Sequence, residues 1–277
     1  MILKQRGRSF GKRIVSKCLH AWSMGFDSGC DGNYGWSGNY LDWESAVKSS
    51  SGYGSSNIFE KTLSAARVVR DGKAAFERDS FVFHQQDYNW PLLSCLMYAA
   101  SAAQGRLHVV DVGGALGSTY FQNQIFLKSL PDVVWCIVEQ SQYVIVGKRE
   151  FEDGHLRFCA TFEEAVSSTE PTVLLSSAFL AYIQHPYEWL SRMRTLSIPF
   201  LVFDRTGFTL DDTTQLTVQR VPPWIYEASY PCWFLSRSRF FDCLSPRYGL
   251  MTEFICPDKA NIPSEFRGFL FKSQQAK

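Results

Sequence analysis

Two stretches carry residue types that suit a ligand site: VVDVGGALGSTY at 109–120 and VVWCIVEQ at 133–140. The first reads as a β-branched, apolar strand that stops on an acid and two glycines. Gly113, Gly114 and Gly117 form a turn in which backbone can approach a bound molecule with no Cβ between them. Nucleotide sites in open α/β sheets lie in such crevices, outside the carboxyl ends of the strands. Asp111, just inside the turn, is placed to accept a bond from a ligand ammonium or to order the amides of the loop. Glu139 ends the second stretch, where a carboxylate can accept both adjacent hydroxyls of a ribose or stand as a bare strand-end charge. The turn is no Walker loop, because no Gly-Lys-Ser/Thr follows it. Nor is it a dinucleotide fingerprint, because Ala115 stands where a second motif glycine would.

Such a turn needs a parallel sheet to carry it. After Gly105 the pattern alternates, with strands expected at 107–112, 133–139, 156–159, 172–177 and 199–204. Helical spacing falls between them, at 118–130, 141–151, 162–168 and 186–196. That alternation implies βαβ units. LTVQRV, WFLSRSRFFDCL and GFLFKS then read as a late strand, a helix and a closing strand. Upstream, residues 91–103 form an apolar helix with Pro91 in its first turn, and 58–69 also keep helical spacing. Residues 20–57 are rich in Gly, Ser, Trp and Tyr, and only LDWESAVKS looks helical, with Asp42 as its cap. The expected organisation is a basic segment at 1–19, a helical and loop-rich collar at 20–89, and an α/β domain at 90–277.

Composition narrows the class of function. The 277 residues carry a net charge of +1, which gives no reason to expect nucleic acid as a partner. Eight cysteines without a CxxC pair fit a reducing, cytoplasmic compartment better than a disulfide framework or a zinc site. No acid or histidine cluster has ligand spacing, so the chemistry is expected to be metal-independent. No apolar run reaches the length of a membrane span. Lys4, Arg6, Arg8, Lys12, Arg13 and Lys17 make the first residues basic. They read either as a solvated terminus or as an amphipathic helix touching the inner membrane surface.

The succession DVGGALG, IVEQ, a third strand, VLLSS and LVFD resembles the class I S-adenosylmethionine-dependent methyltransferases over residues 90–272. More narrowly, residues 76–83, DVGGALGSTYFQ, VEQ and FDRTGF are similar to a bacterial methyltransferase group often found with surface-polysaccharide genes. The resemblance implies a Rossmann-like fold whose seven-stranded, mostly parallel sheet runs 3-2-1-4-5-7-6, with the last-formed strand antiparallel. It implies S-adenosylmethionine, rather than a nicotinamide dinucleotide, as cofactor. Asp111, Gly113, Gly114 and Gly117 match the motif around the methionine moiety, and Glu139 with Gln140 the ribose site. Ala160, Thr161 and Phe162 match the region flanking adenine, and Ser176 ends the fourth strand beside it. Two positions depart from the pattern: Ala115 replaces a common glycine, and no clear Asp follows the third strand.

Methyl transfer from a sulfonium needs alignment more than activation, and a hydroxyl acceptor gains from a general base. Asp204 is a candidate base or sugar-orienting group, and Arg205 a candidate phosphate or carboxylate holder, unless the two pair with each other. His84 and His185 are further candidate bases. Glu77, Arg78 and Asp79 read as an ion network anchoring the collar, or less simply as a grip on substrate. Ser177, Tyr230 and Trp233 are expected to line an acceptor cleft. The acceptor implied is a sugar of a bacterial surface glycan or its precursor. Two other readings are a non-catalytic scaffold in a polysaccharide-assembly complex and a small-molecule methyltransferase of another pathway.

Overall fold

A computed structural model describes residues 34–52, 56–223 and 225–274. The basic segment at 1–19, most of the collar's first residues and Trp224 lie outside the described residues. The described chain opens with a short strand, β1 (Gly35–Ser37), and a helix, α1 (Trp43–Lys48). Asp42 caps α1 as expected, its side chain accepting from the Ser45 N–H at 2.8 Å. Helix α2 (Ser56–Arg70), a hairpin of β2 (Phe76–Arg78) and β3 (Phe81–Phe83), and α3 (Trp90–Ala102) follow.

From there strands and helices alternate: β4 (Arg106–Val112), α4 (Ser118–Leu127), β5 (Asp132–Val138), α5 (Ser141–Glu150), β6 (Leu156–Cys159), α6 (Phe162–Thr169), β7 (Val173–Ser177), α7 (Pro186–Met193) and β8 (Phe200–Thr209). Two antiparallel strands, β9 (Gln215–Val221) and β10 (Ala228–Phe234), come next. Helix α8 (Arg237–Leu244), β11 (Tyr248–Ile255) and β12 (Ser264–Ser273) close the chain.

The main sheet has the order β11-β12-β8-β7-β4-β5-β6. Counted among themselves in chain order, its strands run 3-2-1-4-5-7-6, with β12 antiparallel to both neighbours and β4 through β8 mutually parallel. This is the Rossmann-like methyltransferase order that the resemblance implies. Alternation along each strand divides the core between two faces. Leu107 and Val109 of β4 pack with Leu96, Trp135 and Val202 under α2–α5. Val110 and Val112 pack with Leu174, Leu190, Phe203 and Phe240 under α6–α8.

Several elements depart from the sequence reading. WFLSRSRFFDCL is expected as one helix, but Trp233 and Phe234 end the unexpected strand β10 and the helix starts only at Arg237, behind the Ser236 cap. LTVQRV is a strand, but β9 joins β10 and β1 in a separate antiparallel sheet instead of the main one. Strand periodicity identifies a strand and not its partner. β11 went unread because it is a sheet edge: Leu250 and Met251 are adjacent and both exposed, so the two-residue alternation is blurred. β8 runs to Thr209, five residues past the expected end at Asp204, because β12 pairs with it beyond a bulge. Phe203 faces Phe269 and Thr206 faces Arg267, which leaves Asp204 and Arg205 opposite the single residue Gly268.

Candidate active site at the carboxyl edge of the sheet

The glycine turn follows β4. Gly113 has φ +73°, and a Cβ there would lie 2.9 Å from the Phe179 ring. A Cβ on Gly114 would lie 2.6 Å from the Asp111 carboxylate, so the backbone packs directly on that acid. Ala115, at φ 50°, keeps the left-handed conformation that a glycine would adopt more readily. Gly117, at φ +98°, precedes α4 and packs on Phe121 and Leu156. Asp111 is buried and accepts from Trp135 Nε1 at 3.1 Å. Burial pushes its pKa up to about 7, against the Trp135 bond and with added repulsion from Glu139.

Glu139 follows β5, the strand beside β4. Its Oε1 accepts from the Ala115 N–H at 3.3 Å and its Oε2 from the Gln140 N–H at 2.8 Å. Burial raises its pKa, and these two backbone bonds oppose the rise. Both oxygens are thus oriented by backbone, yet each keeps lone pairs for a ligand.

The far wall is built by the bulge in β8. Asp204 is buried and accepts from Ser177 Oγ at 2.9 Å and from Asn89 Nδ2 at 3.2 Å. Asn89 also caps α3 through its Oδ1, so one amide fixes a helix start and an acid together. Burial raises the Asp204 pKa, opposed by the Arg205 charge and the Ser177 bond. Arg205 does not pair with its neighbour. The bulge turns it to Asp79 at 3.0 Å and Asp258 at 2.9 Å. Burial alone would lower its pKa, but the carboxylates of Asp258 and Asp79 outweigh that and hold it cationic. Asp79 lies in the two-residue turn of the β2–β3 hairpin, so this triad ties the hairpin to the sheet edge. Glu77, on β2, is buried and accepts from Ser118 Oγ at the start of α4.

These groups enclose one cavity of about 490 Å³. Asp111, Gly113, Gly114, Glu139, Gln140, Ser177, Asp204, Arg205 and Tyr230 line it, together with Glu77, Arg78 and Asp79. Among the described residues, eight non-glycine residues have positive φ, and Asp79, Ser80, Ala115, Ala178 and Arg205, five of the eight, line this cavity. Strained backbone gathered at one place marks a functional site more than a packing accident.

Other expected residues lie elsewhere. Gly117 shapes the turn without lining the cavity. Ser176 is buried, whereas Ser177 reaches the wall, because consecutive residues of a strand face opposite sides. The same rule separates Tyr230 from Trp233, three residues along β10: Trp233 stacks on Trp43 and donates to the Ile183 carbonyl at 3.0 Å. Ala160 is exposed, Thr161 caps α6, and Phe162 packs toward Trp189. All three sit at the edge strand β6, off the cavity wall. His84 is exposed, and His185 is exposed with Glu188 3.6 Å away, so neither histidine reaches the wall.

Sequence reasoning missed Asn89, Asp258, Tyr143 and Tyr182 as neighbours of the site. Only Asn89 carried a local signal, an Asn two residues before the first-turn Pro91 of a helix. Among the described residues no group of three or more His, Cys, Asp or Glu is placed to hold a metal, and no helix is long and apolar enough to cross a membrane.

No family model and no curated protein matches the chain. Solved structures similar to it include the N-terminal domain of EvdMO1 in the presence of SAH and D-fucose, at 14% identity over 76% of this chain and 97% of that one, TM-score 0.43. The glycopeptide N-methyltransferase MtfA complexed with S-adenosylmethionine is 6% identical over 66% of this chain and 94% of its own, TM-score 0.46. The N-methyltransferase NodS from Bradyrhizobium japonicum WM9 is 14% identical over 67% and 96%, TM-score 0.41. At such scores the fold assignment rests on the strand order itself.

Proposed function

We propose that this protein is an S-adenosylmethionine-dependent methyltransferase whose acceptor is a hydroxyl of a sugar, in a bacterial surface glycan or its precursor. The observation that carries the reading is a pairing on adjacent strands. A glycine turn backed by buried Asp111 ends β4, and Glu139, oriented by two backbone N–H groups, ends β5. That donor and acceptor set fits the cofactor: Asp111 and the turn for the methionine ammonium, Glu139 for the ribose hydroxyls, with Gln140 alongside. When bound, the cofactor supplies a methyl group activated by its sulfonium.

The chain's own residues then have two tasks. Ser177, Thr62 and the tyrosines Tyr226 and Tyr230 present hydroxyls along the acceptor wall, which suits a polyol. With the cofactor held by Asp111, the glycine turn and Glu139 supplying the methyl group, Asp204 would take the acceptor hydroxyl's proton onto its carboxylate. Its burial-raised pKa makes it a better base than an exposed Asp. Sugar as acceptor is supported by this hydroxyl-rich wall, and the polysaccharide setting by the sequence resemblance.

Isothermal titration with S-adenosylhomocysteine tests the cofactor half. Binding is expected, and Glu139→Ala should weaken it by about 1.5–3 kcal/mol, the range for hydrogen bonds to a charged group. Unchanged affinity would remove Glu139 from the site, and binding of NAD instead would sink the reading.

A further inference from the structure

The cavity wall carries five carboxylates, Glu77, Asp79, Asp111, Glu139 and Asp204, against two guanidiniums, Arg78 and Arg205. Arg205 is already held by Asp79 and by Asp258. Among the described residues Glu77 has no basic side chain within ion-pair distance, and neither do Asp111, Glu139 and Asp204. The cofactor assigned to this cavity has two cationic centres and one carboxylate, a single net positive charge. Asp111 and Glu139 on β4 and β5 suffice for it. An anionic excess remains on the other wall, where the β2–β3 hairpin brings Glu77.

Resting on the methyltransferase reading, we infer that the acceptor carries an ammonium group, an amino-substituted polyol rather than a neutral one, and that Glu77 selects it. Glu77 is only 4% exposed, and Ser118 Oγ is the side-chain donor bonded to its carboxylate. Arg78 next to it acts on Glu77 only at a distance, and a buried carboxylate with no cation in direct contact is unfavourable until a ligand brings one. Burial pushes its pKa up to about 7, with repulsion from Asp79 and against the Ser118 bond, a backbone bond from Ser80 and the Arg78 charge, none of which offsets the burial. Its position is fixed. The hairpin turn holds Asp79 at φ 51° and Ser80 at φ 68°, and the Asp79–Arg205 ion pair clamps that turn to the β8 bulge. A neutral acceptor would leave Glu77 buried with no cation in contact, which is how a polar site rejects a near-isostere.

The test uses the full chain saturated with S-adenosylhomocysteine and titrates glucosamine, N-acetylglucosamine and glucose, then an amino alcohol against its N-acetyl form. Each amine is expected to bind at least about tenfold tighter than its neutral counterpart, the scale of a charge-assisted bond. Glu77→Gln should erase that preference while changing S-adenosylhomocysteine affinity by less than about threefold. No amine binding better than its neutral counterpart in the wild type, including no binding at all, would overturn the inference without any variant being made. A loss of tenfold or more in S-adenosylhomocysteine affinity for Glu77→Gln would also overturn it, by moving Glu77 to the cofactor. Failure of the wild type to bind S-adenosylhomocysteine is a separate result, and it would count against the methyltransferase reading itself.

Discussion

Asp111 and Glu77 are the residues through which pH should act on this molecule. Each has its pKa raised by burial to about 7, from ordinary values of 3.8 and 4.5. An acid whose folded pKa lies above its unfolded value favours the folded state while protonated. Its contribution is therefore complete below the unfolded pKa and is lost as pH rises through the folded one. Acids with lowered pKa act in the opposite sense but in a lower window, since Glu150 and Asp212 titrate at about 2. Glu139 and Asp204 are raised by burial too and act in the same sense, so between about pH 4.5 and 7 the raised acids should dominate. The ligand-free protein is expected to lose thermal stability as pH rises from 5 to 8, and Asp111→Asn should flatten that slope. If Asp111 holds the cofactor's ammonium as proposed, bound S-adenosylhomocysteine should flatten it too, by favouring ionised Asp111. Differential scanning fluorimetry across the pH range decides the matter, and a wild-type melting temperature that rises over this interval would refute the assignment of both acids.

At the scale of elements, the site exists because a few segments break their regular geometry. The β8 bulge separates Asp204 from Arg205, sending one acid to Asn89 and Ser177 and the guanidinium to the hairpin. The glycine turn lets β4 end on backbone instead of side chains. A further close approach lies where Gly147 of α5 meets Phe158 of β6. A Cβ at Gly147 would stand 2.4 Å from the Phe158 ring, which is buried. Helix propensity favours alanine over glycine by about 1 kcal/mol. Overpacking a core generally costs about 1–3 kcal/mol. Because the obstructing atoms belong to a ring confined under the sheet, the clash should win. Gly147→Ala is expected to destabilise the protein by about 1 kcal/mol in urea unfolding, and a stabilised variant would show that α5 can lift off β6.

At the scale of the whole molecule, the cavity is assembled from parts distant in sequence. Asp79 of the hairpin, Arg205 of β8 and Asp258 of the segment between β11 and β12 meet in one ion triad. Tyr226 and Tyr230 arrive with the small antiparallel sheet, their hydroxyls 3.3 Å apart. Removing the shared cation should therefore loosen several parts at once. Arg205→Ala leaves Asp79 and the largely buried Asp258 without their partner. Breaking such a pair from one side costs about 3–5 kcal/mol when fully buried. Asp79 is about a third exposed, so about 2–3 kcal/mol is expected here, measured by chemical denaturation. A loss below about 0.5 kcal/mol would mean that the triad behaves as a surface pair.

Local sequence determined a great deal of this protein. Apolar, β-branched runs and helical spacing located β4–β8 and α2–α7 to within a few residues, apart from the far end of β8, because strands buried on both faces of a sheet and helices buried on one face impose those patterns on the chain itself. The glycine turn, Asp111 and Glu139 were legible for the same reason: a turn's backbone needs and a strand's end are written within a dozen residues. What only the tertiary structure decided is whatever depends on pairing across long separations. β9 gave the signal of a strand, but nothing within it said that Gly35–Ser37 would be its neighbour. Nor could Arg205 announce Asp79, 126 residues away, as its partner instead of Asp204. Ser176 and Ser177, or Tyr230 and Trp233, could be sorted into wall and core only once each strand's face was fixed. Register and facing come from the packing of the whole sheet, and a local pattern constrains them only when one face is plainly apolar and the other plainly polar.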